Sequence, residues 1–289
     1  MLWIISAFLS AFFAGITAIL AKIGIQNVNS HLATALRTCV VAVFAWLVAW
    51  GAGSVGTVGD LSERTWVFLV LSGLSTGLSW ICYFRALQIG NVNKVAPIDK
   101  SSTVLTMLLS FLLLGDPVTV IGIGGMILIL AGTLLMIEPK PGAVPAQQNN
   151  RKALVWAVFS AVFASLTAIL GKIGIEGVES NLGTAIRTLV VLVMAWGIVL
   201  VQGTQREIPK ISKKSWLFLA LSGVSTGLSW MFYYYALQKG VASVVAPIDK
   251  LSILVTVLFS GLVLHERLRR KAAAGLVLLT GGTLLLLLQ

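Results

Sequence analysis

The feature that most constrains this chain is an internal repeat, in which the second half matches the first at an offset of 150 residues without a gap. Residues 72–80 read SGLSTGLSW and residues 222–230 read SGVSTGLSW, while 95–100 and 245–250 both read VAPIDK. About 60 of 139 aligned pairs are identical, far more than a fixed offset gives by chance. The chain is therefore a duplicated unit, and both copies are expected to share one fold.

Each copy contains five apolar segments, most of them about twenty residues long, the length of helix that crosses a hydrocarbon core. Helices satisfy their own backbone hydrogen bonds in lipid, and the segments lack the alternation of barrel strands. Hydrophobic residues make up 57% of the chain and charged residues 11%, too little charge for a soluble domain. The segments run approximately over 2–25, 31–51, 65–89, 92–114, 118–137, 153–175, 181–202, 215–239, 242–264 and 271–288.

An odd number of spans inverts the second copy, because a five-helix unit ends on the opposite side from where it began. The predicted fold class is an all-α integral membrane protein with ten transmembrane helices in two inverted five-helix repeats. We expect the first repeat at 1–139, a polar, proline-containing linker at 140–152 and the second repeat at 153–289. Inverted repeats are typical of secondary transporters, which bind solute near the midplane between the halves.

Loop charge predicts the orientation. We call the side on which the first span begins side A and the opposite side side B. The net charge is +11, and most loop lysines and arginines fall on side B. The positive-inside rule then makes side B cytoplasmic and places both termini outside a plasma (inner) membrane. The same rule explains the basic balance without a nucleic-acid partner.

Charged residues inside spans are costly, so each is a candidate for function. We expect these residues to form two layers, one toward each face of the membrane. Each layer has a surplus of positive charge, which favours anionic solutes. The alternatives are lysines that reach the interface and structural pairs that hold helices in register. The candidates in the solute pathway are Arg37, Asp99, Lys100, Arg187, Asp249 and Lys250, and the gate candidates are Lys22, Arg85 and Lys172.

The fourth span of each copy carries a polar stripe at helical spacing, which places its members on one face. A hydroxyl-lined solute path and ordinary interhelical hydrogen bonding both fit this pattern. The stripe consists of Asp99, Ser102, Thr106 and Ser110, and of Asp249, Ser252, Thr256 and Ser260.

Trp80 and Trp230 lie near the centre of the third span, although tryptophan usually occupies the membrane interface. We expect them to line the solute site, with plain helix packing as the alternative. A second feature is a set of glycines spaced seven apart, which predicts a tight seam between helices, where the halves meet. These are Gly125, Gly132, Gly275 and Gly282.

An enzyme is not expected, because no nucleophile–base constellation, metal cluster or phosphate loop stands out. Cys39 and Cys82 lie in apolar runs and are interpreted as small buried thiols. No cofactor and no metal site are predicted.

The sequence resembles the EamA type of the drug/metabolite transporter superfamily. The resemblance covers the whole chain and rests on the five-plus-five duplication, the SGLSTGLSW and VAPIDK segments, and Gly115-Asp116 and His265-Glu266 at the family's "GE" position. It implies an exporter or exchanger of small metabolites, often amino acids. Known members are often drawn with both termini in the cytoplasm, against the loop-charge prediction.

These observations together predict a secondary transporter that moves a small polar, carboxylate-bearing solute, similar to an amino acid, by alternating access. A lipid or lipid-headgroup flippase is the alternative, and a multidrug or cation exporter is third because its acids would be Asp99 and Asp249 alone. The expected partners are the solute and the bilayer. A proton could couple through either aspartate. A monomer suffices, and a homodimer is the other option.

Overall fold

The fold is helical throughout the part of the chain that the computed structural model describes, residues 2–25, 28–89, 95, 98–136, 150–263 and 269–288. Three 3-10 helices (Ser54–Asp60, Thr204–Lys210 and Leu286–Leu288) and a π-helical turn (Ser110–Leu114) accompany the α-helices. The α-helices are α1 Leu2–Gly24, α2 Ser30–Gly51, α3 Glu63–Ile89, α4 Ser102–Leu109, α5 Val120–Met136, α6 Asn150–Gly174, α7 Ser180–Gln202, α8 Lys213–Lys239, α9 Ala242–Lys250, α10 Ser252–Val263 and α11 Arg270–Leu285.

Eight helical stretches are long and apolar enough to cross a membrane, and α5 is a shorter apolar helix. The fourth expected span, 92–114, is described from Ile98 onward, with α4 continuing into the π-helical turn. The chain is thus a multi-pass α-helical membrane protein with the predicted two-repeat architecture. Most of the linker expected at 140–152 lies outside the described residues, and α6 already begins at Asn150, three residues earlier than expected.

The two repeats run in opposite directions through the molecule. Along the contact between α1 and α8, Ser10 meets Ser229 and Thr17 meets Ser222, so numbers rise on one helix as they fall on the other. Consecutive spans alternate in direction, which makes α1 parallel to α3 and α6 parallel to α8. Because α1 is antiparallel to α8, the third span of one repeat opposes the third span of the other, and the repeats are inverted.

The halves interlock rather than lie side by side. The first helix of each repeat packs against the third helix of the other, as α1 with α8 and α3 with α6. The second helices, α2 and α7, pack together, as do the last ones, α5 and α11. Helices from both repeats therefore surround the centre of the molecule, and a site there takes side chains from each.

The fourth span of the second repeat is divided into two helices. The α9 helix ends at Lys250, and α10 begins at Ser252 after a turn at Leu251. Pro247 lies in the last turn of α9 and lacks the N–H that would bond back along the helix. This divided helix replaces the single segment expected over 242–264.

The predicted glycine seam is confirmed between α5 and α11. A Cβ at Gly132 would lie 2.5 Å from the backbone nitrogen of Leu279, and one at Gly275 would lie 2.6 Å from the carbonyl oxygen of Gly132. Gly125 and Gly282 approach each other in the same way. These glycines let the two helices approach closely in lipid, where packing drives helix association.

Candidate functional site

Two cavities among the described helices are large enough to hold a small solute. The larger, called here the side-A cavity, has a volume of about 1240 Å³ and is bounded by helix ends of side A, including Leu2, Arg64 and Lys172. The smaller, called the tryptophan cavity, has a volume of about 200 Å³. Its lining residues come from both repeats and are Thr34, Arg37, Thr38, Val41, Trp80, Phe84, Thr226 and Trp230.

The α8 helix lines both cavities. Trp230 lines the tryptophan cavity, whereas the next residue, Met231, lines the side-A cavity. Neighbouring residues of one helix therefore face different cavities.

Arg37 brings a positive charge into the wall of the tryptophan cavity. Its Nη2 donates a hydrogen bond to Thr226 Oγ1 of the opposite repeat at 2.9 Å. Its Nε is buried and has no hydrogen-bond partner among the described residues. Because an unmade hydrogen bond of a buried charged group is costly, this nitrogen is available for a ligand that accepts one.

Arg187 is the repeat equivalent of Arg37 and is 2% exposed. Its Nε donates to Ser72 Oγ at 2.9 Å and its Nη2 to Thr76 Oγ1 at 2.6 Å, again across the repeats. Its Cζ lies 5.3 Å from the ring centre of Trp230 and 4.8 Å from that of Tyr234. Its Nη1 is buried without a partner among the described residues.

Neither arginine is neutralised by an acid within the described ranges, where no carboxylate lies within 4.0 Å of either guanidinium. Two desolvated cations at equivalent positions favour an anion in the space beside them. The aromatic rings around Arg187 interact favourably with its charge but do not cancel it.

The two arginine sites are packed differently. Arg37 lines the tryptophan cavity, whereas Arg187 is 2% exposed and lines neither of the two cavities, so the Arg187 site is closed. Thr34 of the cavity is half-buried, and its repeat equivalent, Thr184, is fully buried. Tyr234 occupies the place that Phe84 holds in the first repeat.

Asp99 and Asp249 accept hydrogen bonds from serines and not from bases. Ser160 Oγ donates to Asp99 Oδ1 at 2.7 Å, and Ser10 Oγ donates to Asp249 Oδ1 at 2.8 Å. Each serine belongs to the first helix of the other repeat. Among the described residues, neither carboxylate lies within 4.0 Å of a basic nitrogen.

Lys100 and Lys250 lie near each other, close enough for their charges to repel. Lys250 ends α9, and Lys100 lies just before α4, the helix of the other repeat against which α9 packs. The expectation of two separate charged layers is wrong for this pair, because both segments converge at the repeat interface instead of lying toward opposite faces.

The gate candidates are spread over different surroundings. Lys172 donates a hydrogen bond to the carbonyl oxygen of Gly240, which ties the end of α6 to the loop before α9 on side A. Lys22, its repeat equivalent, and Arg85 have exposed side chains. A gating role for all three stays a prediction.

The hydroxyl stripe of the fourth span lines neither of the two cavities. Thr106 Oγ1 donates to the Ser102 carbonyl and Thr256 Oγ1 to the Ser252 carbonyl, one turn earlier in the same helix. Ser110 donates to the Met107 carbonyl. Three hydroxyls of the stripe therefore bond to carbonyl groups of their own helix, and the expected part of the stripe as a solute path stays a prediction. The structure describes neither Pro97 nor the side chain of Ser260.

Asp116 has a role that the sequence did not indicate. Its Oδ2 accepts a hydrogen bond from the backbone N–H of Ser243 at 2.9 Å, in the first turn of α9. A carboxylate there stabilises the positive end of a helix. The acid of the first repeat thus caps a helix of the second, while His265 and Glu266 lie outside the described residues.

Sequence reasoning also missed the serines and threonines that form hydrogen bonds with the charged side chains, above all Ser72, Thr76 and Ser160. Their signal was present in the repeat, since Ser72 and Thr76 belong to the segment SGLSTGLSW and recur at Ser222 and Thr226. The pairing itself could not be predicted, because each contact joins helices far apart in sequence.

Interlocked inverted repeats of apolar helices, with two arginines between them, define a multi-pass membrane protein. The chain belongs to the EamA-like transporter family, whose model matches residues 1–138 and 151–288. Its family membership and the relatives below identify it as a membrane transporter.

Two relatives carry transporter names. An "uncharacterized transporter in cobO 3'region" of Sinorhizobium sp. is 44% identical over 134 residues, which cover 46% of this chain and 95% of the relative. The uncharacterized transporter YxxF of Bacillus subtilis (strain 168) is 21% identical over 230 residues, 77% of this chain and 71% of the relative. A solved crystal structure shares the fold with a TM-score of 0.77 at 17% identity, covering 98% of this chain and 95% of its own.

Proposed function

We propose that this protein is a secondary transporter of a small, carboxylate-bearing solute similar to an amino acid, and that it works by alternating access. The proposal rests on the surroundings of Arg37. Its charge borders the tryptophan cavity, one nitrogen has no described partner, and no described acid neutralises it. A solute carboxylate supplies both the missing acceptor and the missing charge, in a charge-assisted hydrogen bond.

The walls of the tryptophan cavity fit the rest of such a solute. Trp80, Phe84 and Trp230 present large flat apolar faces, and Thr34 and Thr38 add hydroxyls. A site with apolar walls and a few placed polar groups is the usual form of a small-molecule pocket. The charge selects the carboxylate, and the rings surround the body of the solute.

Alternating access needs a second conformation that is open to the opposite side of the membrane, and the inverted repeats can provide it. The Arg37 site has a cavity, whereas the equivalent Arg187 site is packed closed. Exchange of the two packings between the repeats would open the Arg187 site and move the large cavity from side A to side B. Rocking of one repeat against the other is the general way in which such folds alternate access.

Uptake into proteoliposomes tests the proposal. The purified protein is assayed with a ¹⁴C-labelled mixture of the twenty amino acids, with labelled organic acids and with tetraphenylphosphonium. We expect uptake of amino acids or organic acids, and Arg37→Gln is expected to raise their KM by roughly 10- to 100-fold, the range for losing a hydrogen bond to a charged group. Arg206→Gln, which removes an exposed loop charge, serves as the matched control.

The competing functions give different results in the same vesicles. Uptake of tetraphenylphosphonium alone contradicts the carboxylate assignment. Transfer of fluorescent phospholipid between leaflets without any solute flux identifies a flippase. Equal KM values for the wild type and Arg37→Gln would show that Arg37 is not part of the solute site.

The distribution of loop charge supports an orientation as well. We propose that side B is the cytoplasmic side of the inner membrane.

A further inference from the structure

We infer that Asp249, and not its repeat equivalent Asp99, is the site of a coupling proton, so that solute and proton travel together. The inference rests on the proposed function, because a coupling proton needs a transported solute. It is drawn from one difference between two otherwise matched groups of side chains.

The matched parts are the immediate partners of the two acids. Ser10 Oγ donates to Asp249 and lies 3.4 Å from Ser229 Oγ. Ser160 Oγ donates to Asp99 and lies 3.4 Å from Ser79 Oγ. Each acid also interacts electrostatically with a tyrosine of a third helix, Tyr233 for Asp249 and Tyr83 for Asp99. The two carboxylates therefore have the same immediate partners.

The two groups differ at the residue that follows this tyrosine on the third helix of each repeat, α8 or α3. Tyr234 is 2% exposed, packs against the guanidinium of Arg187 and interacts electrostatically with both Arg187 and Asp249. The equivalent residue, Phe84, has no hydroxyl, and its ring instead packs against His31 with centroids 4.2 Å apart. Tyr233 and Tyr234 therefore both lie within electrostatic range of Asp249 and Arg187, whereas the first repeat has a single tyrosine, Tyr83, at the two equivalent positions.

The chain makes room for this tyrosine. A Cβ at Gly171 would lie 2.6 Å from Cε1 of Tyr234 and 3.2 Å from its hydroxyl oxygen, so a side chain there would displace the ring. The first repeat has Ala21 at the equivalent position. The second repeat thus combines Gly171 with Tyr234, and the first combines Ala21 with Phe84. The tyrosine hydroxyl near the arginine is therefore a feature of the second repeat alone.

The other groups near Asp249 are mainly cationic or neutral. Lys250 is its neighbour on α9, and α10 has no titratable residue within Ser252–Val263. The titratable groups on the other elements packed against α9 are Lys22 on α1, Lys100 before α4, Arg151, Lys152 and Lys172 on α6, Lys213, Lys214, Tyr233, Tyr234, Tyr235 and Lys239 on α8, and Arg270 and Lys271 on α11. Asp99 is the acid of the opposite repeat, and Asp116 caps the start of α9.

The sign of the coupling follows from these charges. A solute carboxylate adds a negative charge beside Arg187, and a proton on Asp249 removes a negative charge from the same group of side chains. Each ligand therefore offsets the charge that the other brings. Linkage is reciprocal, so protonation of Asp249 tightens solute binding by the same factor, typically 5- to 150-fold for coupled sites. The proton comes from water on one side and returns to water on the other.

Driven uptake and exchange separate coupling from transport. Proteoliposomes are assayed with the ¹⁴C-labelled amino-acid mixture, first under an imposed acid-outside gradient and then as counterflow without a gradient. The wild type is expected to gain about tenfold in driven uptake. Asp249→Asn loses this gain but still performs counterflow, and Asp249→Glu restores it. Asp99→Asn keeps the gain, and Tyr234→Phe, which copies the first repeat, reduces it.

A driven gain that persists in Asp249→Asn, or that disappears in Asp99→Asn, overturns the inference. Absence of counterflow in the wild type defeats the proposed function for amino acids. Infrared spectroscopy of the solute-free protein then tests the proton site by itself. On acidification, the carbonyl band of a protonated carboxyl group should be lost in Asp249→Asn and kept in Asp99→Asn, and the reverse pattern contradicts the assignment.

Discussion

At the scale of single residues, the two central arginines differ in what solvates their charge. Arg187 is 2% exposed and depends on the hydroxyls of Ser72 and Thr76. Arg37 bonds to one hydroxyl, that of Thr226, and borders a cavity of about 200 Å³. A cavity of this size leaves space for water beside Arg37. Loss of a hydroxyl should therefore cost more at Arg187 than at Arg37.

Thr76→Val tests this difference, because valine keeps the shape of threonine and removes its hydroxyl. We expect Thr76→Val to lower the free energy of unfolding by about 1–3 kcal/mol, the cost of leaving a buried charged group unsatisfied. Thr226→Val, its repeat equivalent, should lose less because water can replace the hydroxyl. Denaturant titration of both variants in one detergent gives the comparison, and equal losses would show that the two sites are solvated alike.

At the scale of elements, the contact between α5 and α11 depends on the absence of side chains at the glycine seam. The atoms that a Cβ at Gly132 would meet belong to the backbone of α11, which cannot move without separating the helices. Gly124 is on the same helix, and a Cβ there would meet only Leu285 Cδ2 at an ordinary 3.8 Å. The two positions form a matched pair.

Gly132→Ala is expected to destabilise the protein by about 1–3 kcal/mol, as overpacking does. Gly124→Ala should leave the stability within about 0.5 kcal/mol of the wild type or raise it slightly, since alanine is the better helix former. Thermal unfolding followed by size-exclusion chromatography distinguishes them. A Gly132→Ala variant as stable as Gly124→Ala would contradict the close approach of α5 and α11.

The elements show what a sequence can predict. The offset of 150 residues and the apolar runs were enough for most helices and for the glycine seam, because both depend on local composition and spacing. The division of the fourth span at Leu251 was not predicted, since Pro247 still fits within the last turn of α9. The convergence of Lys100 and Lys250 depends on how the repeats pack, which no local pattern contains.

The candidate site was predictable in its residues but not in its asymmetry. Arg37, Trp80 and Trp230 stood out because charge and tryptophan are unusual inside a span. That the Arg37 site has a cavity while the Arg187 site is closed follows from side-chain packing at positions that the repeat makes equivalent. The exchange of Phe84 for Tyr234 is visible in the sequence, but its meaning depends on the position of the hydroxyl beside Arg187.

At the scale of the whole molecule, the inverted repeats predict which residues line a cavity on side B in the opposite conformation. They are the repeat equivalents of the residues that line the side-A cavity. Phe232 lines that cavity, and its repeat equivalent is Cys82, which is 4% exposed. If the repeats exchange packings, Cys82 becomes part of a side-B cavity. The chain thus carries a native thiol at a position that reports the second state.

Reaction of Cys82 with a membrane-impermeant thiol reagent from side B is the most direct test of alternating access, in a Cys39→Ala background. Cys82 should be unreactive without solute and become reactive during exchange of the ¹⁴C-labelled amino-acid mixture. Phe232→Cys, with Cys39 and Cys82 replaced by alanine, should show the opposite change from side A. Transport with Cys82 unreactive from side B throughout would contradict the exchange of states between the two repeats.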